Sequence, residues 1–228
     1  MAGSRSGESE YHHGQKMVYR YSAAKWNDQL VSEGRLRLGT LHGYRDEEAL
    51  PPPIGDSGEG KKMVHANFDD YDSTRPGGDA ERAAMTQLFG IYAERGARVV
   101  LHGVQMRQGF SHPDAYLFCV SRRSSADLLR RLGAETCVEI DLFPFHETLC
   151  KHLDTLGLIN GSTADWVQYG SRDELWRANV PGLHPAFLKP SNYAWQEEGR
   201  FVFYPVVSVV QPLPVQCPEL TAHCRQVL

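Results

Sequence analysis

Apolar and polar positions alternate from the start of "KMVYRYS", Lys16 to Ser22. Val18, Arg20 and Ser22 fall on one face of an extended chain and Tyr19 and Tyr21 on the other, which predicts a first strand. In "AAKWNDQLVSEG", Trp26, Leu30 and Val31 lie near helical spacing, and Gly34 is placed to end that helix. "RLRLGTLHGYR" sets Leu36, Leu38 and Thr40 against Arg35 and Arg37 and predicts a second strand.

Two long loops follow. "DEEALPPPIGDSGEGKK" carries three successive prolines, which oppose helix and sheet alike, and glycines around Asp56 and Glu59 that permit tight turns. "DDYDSTRPGGDA", residues 69–80, is the second loop. "RVVLHGVQM" and "AYLFCVS" predict strands, the latter ending at Ser121. "SADLLRRLG" has a serine cap and a closing glycine and predicts a short helix. "TCVEIDL" is another strand, residues 145–157 an amphipathic helix, and "SRDELWRANV" one helical turn or two. "RFVFYPVVSVV" is the last strand, bent or edge-bound at Pro205. The sum is an α+β chain: a polar leader over residues 1–16, expected to be disordered, and one domain over residues 17–228.

Composition narrows the function classes. With 41% hydrophobic and 23% charged residues, the chain is built like an ordinary globular protein. Its formal charge of -4 gives no global field for phosphate backbones or anionic membranes, so any nucleic-acid contact must be a local patch. Arg122, Arg123, Arg130 and Arg131 are the candidate patch. No stretch approaches the roughly 20 apolar residues of a membrane span, and the polar N-terminus lacks the apolar core of a signal peptide. The five cysteines are odd in number and lack paired short spacings, the pattern of free thiols in a reducing compartment. A cytoplasmic location, in its own cell or a target's, is the expectation.

Candidate chemistry concentrates at "QEEGR". In an extended segment Gln196 and Glu198 point the same way and Glu197 the opposite way, so an amide and a carboxylate can address one ligand. A carboxylate at a strand start can bond sugar hydroxyls and stabilise developing positive charge. Arg20, inside the first strand, needs a partner or an anionic ligand, which a guanidinium holds with two parallel bonds. Ser121 closes an apolar strand, and Tyr193 and Trp195 offer rings for stacking. "IGDSGEG" has the look of a flexible acidic hairpin or a cation site, although it is shorter than a calcium loop. The ten histidines show no His-x-x-x-His or Cys-His pair at ligand spacing, and no metal site is expected.

An arginine on the first strand, a serine closing a middle strand and Gln-x-Glu at a late strand together resemble the Arg–Ser–Glu class of ADP-ribosyltransferases. The positions here are Arg20, Ser121 and the pair Gln196/Glu198, preceded by the loop 189–195; Ser121 is followed by Arg122 and Arg123 where the family usually has Thr-Ser. The islands "YRYS", "LVSEGRLRLGTLHGYRDEE", "GDSGEG", "FCVS" and "E-x-R-F" also resemble uncharacterised bacterial families, some of them suspected of sharing that fold. The resemblance implies split β-sheets around a cleft, with flanking helices and long loops, and NAD as substrate without a metal. It implies that Arg20 and Tyr21 face the dinucleotide, that Ser121 orients Glu198, and that Glu198 bonds the nicotinamide-ribose 2'-hydroxyl. Tyr193 and Trp195 would stack on nicotinamide or an acceptor base. A toxin, effector or defence enzyme that modifies a protein or nucleic acid follows. An NAD glycohydrolase on the same scaffold and a non-enzymatic binding module are the alternatives.

Overall fold

The computed structural model describes residues 16–46, 54–94, 96–178, 182–208 and 211–228; the polar leader, except Lys16, and the proline run lie outside the described residues. Strand β1, Met17–Ser22, is the predicted first strand. Helix α1, Ala24–Glu33, buries Leu30 and Asn27 and leaves Trp26 largely exposed. It stops at Gly34, whose φ of 64° and close approach to the Cys217 carbonyl both demand glycine: a Cβ there would lie 2.0 Å from that oxygen. In β2, Arg35–Thr40, Leu36, Leu38 and Thr40 are buried while Arg35 and Arg37 are exposed, as alternation requires.

Strand β3 runs over Lys61–Asp72, so the loop predicted from residue 69 begins inside a strand. Val64, Ala66 and Phe68 are buried with His65, Asn67 and Asp69 between them, the same alternation that marks β2, and the strand continues past it through Asp70, Tyr71 and Asp72. Helix α2, Asp79–Ala83, runs into a π-helical turn over Ala84–Leu88. Strands β4, Val100–Ser111, and β5, Tyr116–Ser121, follow. In α3, Ala126–Arg131, the Ser125 hydroxyl accepts from the Asp127 and Leu128 amides, the predicted cap. Strand β6, Thr136–Asp141, leads into α4, Leu142–Thr155. That helix starts three positions before the predicted residue 145, because Pro144 is tolerated in a first turn whose amides have no helical partner.

The rest is strand-rich: β7, Ile159–Trp166; β8, Gln168–Tyr169; β9, Asp173–Leu175; β10, Leu188–Lys189; β11, Glu198–Pro205; β12, Leu213–Gln216; β13, Cys224–Gln226. The helical turn predicted around residues 171–180 is instead β9, held as a strand by parallel pairing of Met63 with Asp173 and His65 with Leu175. A tertiary partner overrides local preference there. The architecture is mixed α+β, with an eight-stranded sheet, a three-stranded sheet β4-β3-β9 and a two-stranded pair β10-β8.

The large sheet forks at β5. Strand β11 runs antiparallel along one edge of it, from Glu198 opposite Ser121 to Phe203 opposite Tyr116. Two strands share the other edge: β2 pairs at Leu117 and Tyr116, and β1 at Ser121 alone. Around Cys119 the fork is open. On one face of the sheet, Phe118, Phe201, Phe203, Val138 and Ile140 pack against Leu30 of α1 and Phe145, Leu149 and Leu153 of α4. The opposite face carries a small apolar cluster of Leu117, Val202, Leu41 and Phe187. Glu198 and Arg200 share that second face by strand alternation, and both are buried.

Gly199 lies between them on the core face, where an added Cβ would sit 2.7 Å from Cζ3 and 2.8 Å from Cε3 of the buried Trp166 ring. Gly199→Ala is therefore expected to destabilise the fold by about 1–3 kcal/mol through overpacking. A urea titration of the variant against the parent measures it; an unchanged midpoint would contradict this packing.

Candidate functional site

The fork places the sequence-predicted motifs beside one another. Tyr19 of β1, Ser121 of β5 and Glu198 of β11 are Cα partners in one row across three adjacent strands. Arg20, next after Tyr19, leaves on the core face. Its guanidinium lies 4.3 Å from the Phe118 ring centroid, and Nη1 donates to the Cys119 carbonyl at 3.4 Å, in the open part of the fork. Among the described residues it has no carboxylate partner within ion-pair distance. Burial pushes the Arg20 guanidinium below its usual range, opposed by Tyr44 and Cys119 nearby. Tyr44 is raised by Cys119 and by burial, and it feels both Arg20 and Glu198, so these two groups share a neighbour.

Glu198 is held from both sides. Arg200 Nε donates to Oε1 at 2.7 Å and Lys189 Nζ to Oε2 at 2.6 Å, and the carboxylate side chain is only 8% exposed. Arg200 also clasps Glu59, with Nη1 to Oε1 at 2.6 Å and Nη2 to Oε2 at 2.9 Å, and donates to the Ala186 carbonyl. Two carboxylates and two cations thus neutralise one another in a buried chain. Burial alone would raise Glu198, but the Arg200 and Lys189 charges and hydrogen bonds outweigh it and hold the carboxyl at about 2. Burial and the adjacent Glu198 charge push the Cys119 thiol up to about 12. The backbone amide of Glu198 donates to the Tyr169 hydroxyl at 2.8 Å.

Gln196 and Glu198 do meet, since Lys189 Nζ bonds Gln196 Oε1 at 2.9 Å as well. The cause is not extended backbone. Gln196 closes a 3-10 turn over Ser191–Gln196, and Glu197 at φ 46° turns the chain into β11. Glu197 is the one positive-φ residue other than glycine among the described residues, a constrained backbone immediately before the buried carboxylate. Ser121 opposes Glu198 in register, yet its hydroxyl donates to the Gln196 carbonyl at 2.9 Å. It fixes the segment leading to the carboxylate rather than the carboxylate itself.

The remaining predicted residues lie around this centre. Tyr193 donates to the Gly55 carbonyl at 3.0 Å, with Lys189 Nζ 5.2 Å from its ring centroid. The Tyr21 hydroxyl donates to the Arg123 carbonyl and accepts from the Ser125 amide, each at 2.8 Å, and so pins the turn after β5. Trp195 carries the Arg131 guanidinium 3.7 Å from its ring centroid. Of the arginine patch, Arg123 pairs with Glu197 at 2.9 Å, Arg130 pairs with Asp127 at 2.6 Å, and Arg122 lies 4.2 Å over Trp166.

The acidic loop is not a flexible hairpin or a cation site. Asp56 and Glu59 are buried and paired with Arg172 and Arg200, and the Asp56 carboxylate also caps the Gly58 amide. Among the described residues no group of three or more His, Cys, Asp or Glu is placed to hold a metal ion. His146 Nε2 and Cys150 Sγ, one turn apart on α4, do approach to 3.3 Å. Burial lowers His146 to about 4 and raises the Cys150 thiol, so the pair is neutral near pH 7 and lacks a thiolate nucleophile. All five cysteines are free thiols, and no described helix is long and apolar enough to cross a membrane.

Sequence reasoning missed Lys189, Arg200, Glu59, Cys119, Tyr44 and Tyr169. The signal for Arg200 was present, because a guanidinium inside an apolar strand must find a partner; its partner Glu59 stands 141 positions earlier, where no local pattern reaches. The cavity bordering β11, lined by Val120, Trp166, Gly199 and Arg200 among others, holds about 10 Å³, whereas a cleft of about 270 Å³ opens over Tyr71, Met85 and Val99, beside α2 and the second sheet. Comparison with known protein families, characterised proteins and solved structures yields no match.

Proposed function

We propose that the chain is an NAD-dependent ADP-ribosyltransferase acting on a macromolecular acceptor, with split sheets around the β5 fork as its catalytic scaffold. The observation that supports this most is the row across β1, β5 and β11: the arginine-bearing strand, Ser121 and Glu198 are immediate neighbours although about a hundred positions separate the first from the second. Arg20 leaves the sheet on the core face and Glu198 on the opposite one, so this cation, without a carboxylate partner among the described residues, meets an anionic group shared with Glu198, such as the NAD pyrophosphate, only through the open fork at Cys119. Tyr193, whose ring centroid lies 5.2 Å from the Lys189 ammonium that binds Glu198, is a candidate ring for the nicotinamide end.

The chemistry fits an ionised carboxylate. Held at about 2, Glu198 is negatively charged throughout the physiological range and acts electrostatically rather than as a proton donor. The bond between nicotinamide nitrogen and ribose C1' breaks, its electron pair leaving with neutral nicotinamide. The positive charge that develops on the ribose faces Glu198. The acceptor nucleophile then bonds C1' and gives up its proton. Because the Glu198 side chain is nearly enclosed, NAD entry requires the Lys189–Gln196 segment to shift and Lys189 to yield its bond. The same enclosure favours a second reading, a non-enzymatic module in which the Glu59–Arg200–Glu198–Lys189 chain is structural.

Incubation of the purified protein with NAD separates these. The transferase releases nicotinamide and transfers adenine-labelled nucleotide to a macromolecule from a lysate. Release without any acceptor marks a glycohydrolase instead. Neither release nor NAD binding leaves only the non-enzymatic module.

A further inference from the structure

We infer that the cleft of about 270 Å³ beside α2 and the second sheet binds a small neutral, mainly apolar molecule that carries one hydrogen-bonding group. The cleft shares no lining residue with the Glu198 site. The buried Tyr71 and Met85, members of the apolar cluster around Phe68, line it together with Val99. Ile91 and Tyr92, the latter 75% exposed, line it from the surface. The π-helical turn over Ala84–Leu88 shapes this wall: the Phe89 amide donates to the Ala84 carbonyl at 3.2 Å, and the Ile91 amide to the Met85 carbonyl at 2.8 Å. Such widened turns are rare and recur at functional sites.

The chemistry of the lining selects the ligand. Tyr71 is only 4% exposed, yet its hydroxyl makes no hydrogen bond among the described residues. A phenol so enclosed ordinarily finds a partner, and a ligand atom in the cleft supplies one. Other polar groups of the lining are committed to the chain itself. The Thr86 hydroxyl donates to the Arg82 carbonyl at 3.0 Å, and the Ser73 hydroxyl accepts from the Val99 amide at 2.9 Å. Arg82 Nη1 pairs with Asp79 at 3.4 Å, so its charge is balanced and an ionic ligand would give up water without compensation. An apolar cavity of roughly 150 Å³ takes benzene, so the larger volume here suits a molecule of two fused rings.

Ligand-observed NMR of the full chain with 2-naphthol, a neutral two-ring molecule with one hydroxyl, tests this. It is expected to bind with a dissociation constant below about 1 mM. The anion of the same shape, 2-naphthoate, should bind several times more weakly. Ala97→Trp, at an exposed lining residue, fills the space with an indole and should weaken 2-naphthol binding about tenfold or more, with circular dichroism unchanged. Tyr71→Phe keeps the ring and should weaken 2-naphthol binding by roughly two- to tenfold while leaving the naphthalene signal unchanged. Absence of 2-naphthol binding, parental affinity in either variant, or 2-naphthoate binding as tightly as 2-naphthol would each overturn the inference. Nicotinamide release from NAD bears on the Glu198 site alone, so the two readings stand or fall separately.

Discussion

Glu198→Gln is expected to reduce nicotinamide release from NAD by about 10²–10³-fold, the scale on which one electrostatic contact to a charged transition state matters. Glutamine keeps the shape and removes the negative charge. It also replaces one carboxylate oxygen by an NH2 group, which must face either Arg200 Nε or Lys189 Nζ, both of them donors. Some loss of stability is therefore built into the single variant. Glu198→Gln/Lys189→Met removes the opposing donor and should recover part of the stability while staying inactive. Thermal melts and initial rates on both variants separate the two effects; near-parental turnover by either one would remove Glu198 from the chemistry. The pH–rate profile supplies another check. With its carboxyl held at about 2 by Arg200 and Lys189 against the opposing effect of burial, Glu198 contributes no inflection between about pH 5 and 9.

Arg200→Met is expected to lower the unfolding free energy at pH 7 by about 3–5 kcal/mol, because it strands buried carboxylates. Glu59 is fully buried and loses both guanidinium bonds, and Glu198 is left with Lys189 alone. For a chain of this size the melting temperature should drop by roughly 6–20 °C. Arg200→Lys should rescue little, since a single ammonium cannot span both Glu59 oxygens and reach Glu198 Oε1 as well. The pH dependence carries a defined sign. In the parent, Glu198 has a depressed folded-state pKa, so its contribution to stability is full above about 4.5 and fades as pH falls towards 2. In the variant, acid neutralises the stranded carboxylates, so the gap between parent and variant should narrow from pH 7 to pH 4. Urea midpoints across that range test it, and a gap that widens with acid would contradict the buried network.

Much of the strand framework was legible in the sequence. Leu36, Leu38 and Thr40 against Arg35 and Arg37 fixed the inward face of β2, and Gly34 and Ser125 marked a helix end and a helix start. Those signals work because side-chain direction repeats every two residues in a strand, and because helix ends need specific local partners. β3 carries the same alternation over Val64, Ala66 and Phe68, but its end at Asp70–Asp72 has the polar composition of a loop and is held as strand by pairing with β4, and β9 became a strand only through the edge that β3 offers it. Gln196 and Glu198 were readable as residues that act together, although a left-handed Glu197 rather than an extended backbone joins them.

The chain order by itself determined which residues could carry charge into the core and where the strands begin. Only the tertiary structure decided what those charges meet: Glu59 with Arg200 across 141 positions, Asp56 with Arg172 across 116, and β1 and β2 side by side on one edge of β5. The physical reason is that periodicity reports which face of an element is buried. The partner on that face is chosen by strand register and by the need to neutralise every charge withdrawn from water, and both arise only when distant segments meet.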